Sequence, residues 1–484
     1  MLVFAPVLIP LAPALLCVFA ATRPRLQKGG SLGGALALFL AGMALLRQVI
    51  LHGPLTLVAG NWPAPFGIAF TADRLGVALV MIAALMVTIV VIWQHSDVDK
   101  APDGPSLHPL LHGVVAGACG AFLTADLFNL YVWFEVALIA SLGLLAQGGS
   151  LRQLDATLKY FALNLVGTLL LLTGVALLYG TTGQLNFLAL SGAIAEQGNP
   201  LHLPLLGLLL IAFLVKAAAF PFFAWLPASY HTLPAPVLAL FSALLSKIGI
   251  CALIRLLCVV LVPAPAELLT MVGWIALLSM VTGVLGAAYH WDIRRILAFH
   301  SISQVGYMLL AIALASPVGD AAAIFFALHH SLVKAGLFLA AALVFRHTGQ
   351  YDLRRIGGLY AAKPALAAMF LLLALSLVGI PPSSGFWGKY LIVKEGLAQG
   401  AYLWAGTALL VGGLTLYSMM KIWFEAFWKA HPNQNWQAPD GARLTPAYAG
   451  LAIVVAVAVI AGLFPEPLLN FAVAAADTLR GAGR

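Results

Sequence analysis

The sequence predicts an all-α polytopic membrane protein of about fourteen transmembrane helices. Three observations carry that prediction. The chain of 484 residues is 62% hydrophobic and only 9% charged, whereas ordinary soluble domains hold about 25% charged residues. Its apolar runs recur at about 20 residues each, the length that crosses ~30 Å of hydrocarbon. Its loop lysines and arginines fall in alternate loops, the pattern that orients membrane helices.

Taken in order, the candidate spans lie at roughly 2–21, 31–52, 72–94, 109–124, 126–147, 158–180, 204–226, 235–260, 267–290, 293–315, 321–346, 366–393, 400–428 and 445–472. The first is not a cleaved signal: Ala20-Ala21 runs directly into Thr22-Arg23-Pro24-Arg25, a positive loop after a retained helix. A polar knuckle at Asp126 separates the fourth span from the fifth. Gln94 to Pro109 reads as a plain polar loop, and Arg346 to Pro364 as a basic orientation signal rather than an in-plane helix.

Two spans are interrupted. In Leu214 to Pro236, Pro221 lies inside the apolar run, where it removes a backbone donor and breaks the helix. In Leu375 to Lys394, Gly379, Pro381 and Pro382 do the same, with Gly385 beside them. Paired broken helices in corresponding positions mark an inverted-repeat transporter. The expected organisation is three N-terminal helices over 1–108, two inverted five-helix repeats over 109–260 and 267–428, and a C-terminal helix over 445–484.

One set of alternate loops holds Arg23, Arg25, Lys28, Lys100, Arg152, Lys159, Arg294, Arg295, Arg354, Arg355, Lys363, Lys429 and Arg443. The other is nearly bare, with Arg74 and Lys394 near span ends. The first set is expected on the cytoplasmic side of a bacterial inner membrane, with both termini facing outward. The net charge of +8 is largely this bias and does not indicate nucleic-acid binding. Cys17, Cys119, Cys251 and Cys258 all fall within predicted spans with no CxxC or Cys/His cluster, so neither a metal nor a cofactor is expected. No phosphate-binding glycine loop or nucleophile elbow is present.

Against this apolar background stand Glu135, Lys216, Lys247, Lys334 and Lys389, each near the middle of a span. A charge at the bilayer centre costs roughly 2.5–3.5 kcal/mol, so five independent ones exceed about 10 kcal/mol. A fold sustains that load when the charges pair or face a hydrated interior. The reading is a relay that moves protons or cations. An isolated Glu135 would take up a proton, and Lys216, at similar depth beside a helix break, is its natural ionic partner. His330 lies one helical turn before Lys334 on the same face, while His329 points about 100° away. A histidine suits a proton step between lysines. Asp126, His300 and His329 are accessory candidates, with His300 expected near the cytoplasmic mouth. Asp73 is expected to cap its helix or pair locally. Arg255 is expected to anchor to the interface or a partner.

The runs NWPAPFGIAFTADRLG (Asn61 to Gly76), FEVALIASLGLLA, KAAAFPFFAWLPASYHTLPAPVLALFSALLSKIGI, DIRRILAFHSISQVGYM, HHSLVKAGLFL and GIPPSSGFWGK resemble the antiporter-like subunits shared by respiratory complex I and Mrp-type cation/proton antiporters. The resemblance extends from about residue 60 to 430, and the two broken-helix motifs are its most specific parts. The WPAPFGI and ADRL entrance, the run from Leu414 to Trp428, the absence of a long lateral helix and Lys389 in the last broken helix favour the branch formed by the D-type subunits of Mrp antiporters. The resemblance implies that Glu135 and Lys216 form the ion pair of the first half, that Lys247 connects the halves, and that His330, Lys334 and Lys389 belong to the second-half channel. Relatives often carry a further histidine where this chain has Phe326.

The implied function is that of a secondary-transporter component, not an enzyme. It would work with other membrane subunits, exchanging Na+ or another monovalent cation for protons. The midplane set is dominated by nitrogen, a poor match for a hard cation that prefers oxygen, so protons are expected here and Na+ elsewhere in the assembly. The alternatives are the membrane arm of a redox-driven proton pump, such as complex I or a membrane-bound hydrogenase, and a non-conducting scaffold.

Overall fold

Helices fill the chain because apolar segments in lipid must satisfy their backbone groups internally. The computed structural model describes residues 1–62, 66–94, 104, 106–437 and 444–482. Lys100 and Arg443, counted above among the basic loop residues, lie outside the described residues, as does most of the expected polar loop after Gln94.

Helices α1 (Ala5–Phe19) and α2 (Pro24–His52) lead into a short antiparallel hairpin, β1 (Leu55–Val58) and β2 (Ala69–Ala72), and then α3 (Arg74–Trp93). The first half follows as α4 (Leu107–Leu123), α5 (Leu127–Ala146), α6 (Leu151–Thr182), the short α7 (Phe187–Gln197), α8 (His202–Ala217), α9 (Trp225–Tyr230) and α10 (Ala235–Arg255). The second half is α11 (Ala266–Tyr289), α12 (Ile293–Ala313), α13 (Pro317–Thr348), the one-turn α14 (Leu359–Ala362), α15 (Pro364–Val378), α16 (Ser384–Ala398) and α17 (Tyr402–Ile422). Helices α18 (Thr445–Leu463) and α19 (Glu466–Ala482) end it. Among the described residues, 11 helical stretches are long and apolar enough to cross a membrane, with Ala5–Phe19, Leu107–Leu123 and Pro364–Val378 as shorter apolar helices.

The two halves follow one plan, visible in their helix caps. Asp126 caps α5 by accepting from Asn129 N, and Asp292 caps α12 by accepting from Arg294 N. Ser150 caps α6 and Ser316 caps α13. Gly183 and Gly349 end those two helices with φ of 67° and 70°, a left-handed geometry that suits glycine. Isolated β-bridges tie Asp126 to Asn186 and Asp292 to Asp352. In every pair the second residue follows the first by the same stretch of chain. One residue further along in register, α10 and α17 both run on into π-helical turns, Leu256–Val260 and Trp423–Trp428.

Two interruptions are where the sequence places them. Helix α8 stops at Ala218 with φ of 61°, and α9 resumes after Pro221. Helix α15 stops at Gly379 with φ of 90°, and α16 resumes after Pro381 and Pro382. Helices α10, α12 and α13 are enclosed almost all round, whereas α2, α17 and α18 lie at the periphery.

Some expectations change. The last span ends at Leu463, not near 472, because Pro465 and Pro467 cannot continue α18. The separate α19 buries Ala472, Ala475, Ala476 and Leu479, an i, i+3, i+4, i+7 stripe, against α3 and α13. The hairpin and α7 have no counterpart in the span reading. The loop after Arg346 is compact, with Leu353, Ile356 and Leu359 buried.

Candidate proton relay

Three helices meet at Glu135. Helix α5 carries Glu135, α6 carries Thr168, and the last turn of α8 carries Lys216 just before the break. The Thr168 hydroxyl donates to Glu135 Oε1 at 2.6 Å, and Lys216 Nζ donates to Thr168 Oγ1 at 3.1 Å. Lys216 also reaches Asn164 O at 3.5 Å and lies 5.7 Å from the Phe134 ring centre. The hydroxyl of Thr168 thus stands between the two expected ionic partners. A cavity of about 30 Å3, large enough to hold water, adjoins Lys216, Asn164, Tyr160 and Trp225. The Trp225 indole N–H, just past the break, donates to Val215 O at 2.9 Å and helps satisfy the interrupted helix.

Helix α10 continues the series. Gly249 allows it to lie directly on the break: a Cβ there would come within 2.5 Å of Ala217 N. Two residues before it, Lys247 is fully buried and donates to Ser242 O at 2.6 Å. Helix α13 packs on α10 and brings Lys334, also fully buried, into electrostatic reach of Lys247. His330 lies one turn earlier, within reach of Lys247, Lys334 and Lys389. Neither ring nitrogen of His330 nor Lys334 Nζ meets a hydrogen-bond partner.

At the second break, Lys389 Nζ donates to Leu377 O at 3.1 Å and Val378 O at 2.9 Å, the free carbonyls at the end of α15. This is the cation that a helix C-terminus favours. His329 contacts the break more directly than His330, with its Nδ1 2.9 Å from Ser384 Oγ, which is 3.0 Å from Ser376 Oγ. Phe326 packs against both His329 and His330.

His300 is fully buried on α12, pairs through Nε2 with Ser418 Oγ of α17, and lies in electrostatic reach of Lys334 and Lys389. One turn on, both side-chain polar atoms of Gln304 are buried without a partner. Asp126 is a cap in a β-bridge rather than a member of this series. Asp73 also caps its helix, accepting from Gly76 N at 2.6 Å, and pairs at 3.0 Å with Arg255. Arg255 is buried, with its remaining donors on Thr124 O and Phe122 O.

The arginine-rich end opens into a cavity of about 520 Å3 lined by Arg152, His290, Asp292, Arg295, Asp352 and Arg354. Arg295 donates to His231 Nε2 at 3.2 Å. Burial first, and the Arg295 charge second, push His231 down to about 4. The same two causes lower His290, while the hydrogen bond from Arg354 holds Asp352 below the usual carboxylate value.

Known proteins share this fold. Residues 124–428 match the profile of the NADH:quinone oxidoreductase/Mrp antiporter transmembrane family. The chain belongs to that family. It is 37% identical to the D subunit of the Na(+)/H(+) antiporter of Alkalihalophilus pseudofirmus, over 99% of this chain and 97% of that one. Among solved structures, a chain of the Mrp complex from Dietzia sp. DQ12-45-1b matches with a TM-score of 0.91 and 31% identity, covering 99% of this chain and 97% of its own. A chain of the archaeal membrane-bound sulfane sulfur reductase also gives a TM-score of 0.91, at 25% identity, with the same two coverages. The fold of this family thus serves both antiporter and respiratory complexes.

Thr168, Ser384, Ser418 and Gln304 were not legible as site residues in the span reading. Thr168 had one usable signal: it follows the Ser150 cap at the distance by which Lys334 follows the Ser316 cap.

Proposed function

We propose that this chain is the proton-conducting subunit of a multisubunit Na+/H+ antiporter. Protons would cross along Glu135, Lys216, Lys247, His330, Lys334 and Lys389, with His329 and His300 beside the second half. The observation that carries this reading is that Lys247 and Lys334, two fully buried lysines on the packed helices α10 and α13, lie within electrostatic reach of each other. Two ammonium groups so placed repel, so one proton bound there disfavours the next. A proton arriving from the Glu135 side would therefore drive one onward toward His330 and Lys389. The unpartnered polar atoms of His330, Lys334 and Gln304 mark that interval as a place for water.

Na+ would cross elsewhere in the assembly. Glu135 already accepts from Thr168, and the remaining midplane groups are nitrogen donors that repel a cation. Other membrane subunits would cover the flank of α5, where Glu135 is only half-buried. Fourteen crossings, with the arginine-rich end in the cytoplasm of an inner membrane, and repeats over 109–260 and 267–428 complete the reading.

The test uses the whole complex in everted vesicles. Na+-dependent dissipation of a pre-formed ΔpH is compared in wild type, Glu135→Ala and Lys216→Ala, with co-purification checking assembly. Loss of exchange in assembled variants is expected. Wild-type exchange in both would sink the relay and leave a scaffold. The likeness to a respiratory reductase chain favours a second reading, a redox-driven pump. That reading predicts no Na+ response in wild type.

A further inference from the structure

Threonines and serines inside the helices of this protein usually turn inward. Thr88, Thr157, Thr270, Thr282, Thr407, Thr415 and Thr478 each donate to the carbonyl four residues earlier, as does Ser141. That back-bond is the ordinary fate of a mid-helix hydroxyl. Thr168 breaks the pattern. Although buried in the middle of α6, its hydroxyl donates across to Glu135 on α5 and accepts from Lys216 on α8. Gly167 makes room for this, since a Cβ there would come within 2.9 Å of Val215 Cγ1 and push α6 off α8.

The plan shared by the two halves gives a second, independent observation. Counted from the matched caps, Thr168 stands where the second half has Lys334, and Glu135 stands where it has Ser301. One half sets a hydroxyl beside a carboxylate. At the matched positions of the other, Lys334 Nζ meets no hydrogen-bond partner and Ser301 donates back to Leu297 O.

From these contacts we infer that Thr168 is itself a member of the relay, standing between Glu135 and Lys216 so that a proton passes from one to the other through its hydroxyl. The inference rests on the relay reading above. In the step, a proton leaves Lys216 Nζ for Thr168 Oγ1 as the hydroxyl's own proton passes to Glu135 Oε1. Lys216 becomes a neutral amine, Glu135 a neutral acid, and Thr168 is unchanged. The reverse step restores the charged pair. A hydroxyl suits this place because it both donates and accepts. It also keeps the two charges from closing into a contact pair that would be slow to open.

The test measures Na+-dependent exchange in everted vesicles of the whole complex for Thr168→Val, Thr168→Ser, Glu135→Ala and Lys216→Ala, with assembly checked by co-purification. Valine keeps the shape and removes the hydroxyl. The maximum rate should fall at least about tenfold with the apparent Na+ affinity unchanged, and serine should restore at least half of it. If Thr168→Val does not assemble, Thr168→Ala, which adds no carbon, takes its place in the comparison. Wild-type rates in the valine variant, with Glu135→Ala and Lys216→Ala inactive, would overturn the bridge and leave the relay standing. Equal slowing by serine and valine would overturn it too, by assigning the effect to the methyl group. Wild-type rates in all four would remove the relay, and the bridge with it.

Discussion

At the scale of single residues, the charges were legible and their partners were not. Lysine and glutamate stand out of an apolar run by composition alone, so five of the relay candidates could be named from the sequence, and His330 followed from its spacing to Lys334. A partner such as Thr168 or Ser384 is an ordinary membrane-helix residue until packing fixes what its hydroxyl faces. Arg255 shows the same limit: its depth was readable, but its buried carboxylate, Asp73, is a distant residue on the cap of α3. His231 carries a prediction at this scale. Its Nδ1 lies 3.1 Å from Pro227 O and its Nε2 faces Arg295, an arrangement that needs a neutral ring donating to the carbonyl and accepting from the guanidinium. Folding lowers the ring from 6.5 to about 4. Between those values the unfolded chain binds more protons than the folded one, so stability falls as pH drops through that window. Glutamine at this position does not titrate. On moving from pH 7.5 to about 5, the thermal midpoint of the wild type should drop further than that of His231→Gln. Parallel drops would show that the imidazole is not the group responsible.

At the scale of elements, proline and glycine did most of the work. Pro221, Gly379, Pro381 and Pro382 place both breaks, because a missing donor or a positive φ is a local property that needs no tertiary context. The caps at Asp126, Ser150, Asp292 and Ser316 are equally local. What the sequence hid is how closely the broken ends approach their neighbours. Gly385 is the sharpest case. A Cβ there would come within 1.9 Å of Ser376 O and 2.9 Å of His329 Nε2, so the start of α16 lies directly against the end of α15 and against α13. The neighbour at 1.9 Å is backbone, which has no flexible end to move aside. Gly385→Ala should therefore force α16 away from α15 and pull Lys389 off Leu377 O and Val378 O. Exchange should be lost and the thermal midpoint lowered. Gly413, which has open space around it, is the matched control, and its alanine variant should behave as wild type. Full exchange in the assembled Gly385→Ala complex would mean that the geometry of the second break does not matter to transport.

At the scale of the whole molecule, apolar length and the placement of arginine set the architecture, and the exceptions share a cause. The β1–β2 hairpin, α7 and α19 lie in connecting or terminal segments, where membrane thickness no longer dictates length. The two ends of the bundle differ in chemistry. One gathers Arg152, Arg295 and Arg354 around a single cavity. At the other, Arg74, Arg255 and Arg480 are tied to Ala474 O, Asp73 and Asp320 within the chain. Most of the basic loop residues gather at the first end, while the loops at the second are nearly bare. On the proposed topology of fourteen crossings, the positive-inside rule would set the first end in the cytoplasm and both chain ends outside. Alkaline phosphatase, active only outside, and green fluorescent protein, bright only inside, would report this as a pair. Fused after the last residue, the phosphatase should be active and the fluorescent protein dark. Fused within the loop that carries Ser150 and Arg152, the two should exchange signals. A bright fusion at the C-terminus together with a bright fusion at Ser150 would require an odd number of crossings. A bright fusion at the C-terminus with a dark one at Ser150 would instead put Asp320 and Arg480 on the cytoplasmic side, reversing the direction in which the relay faces.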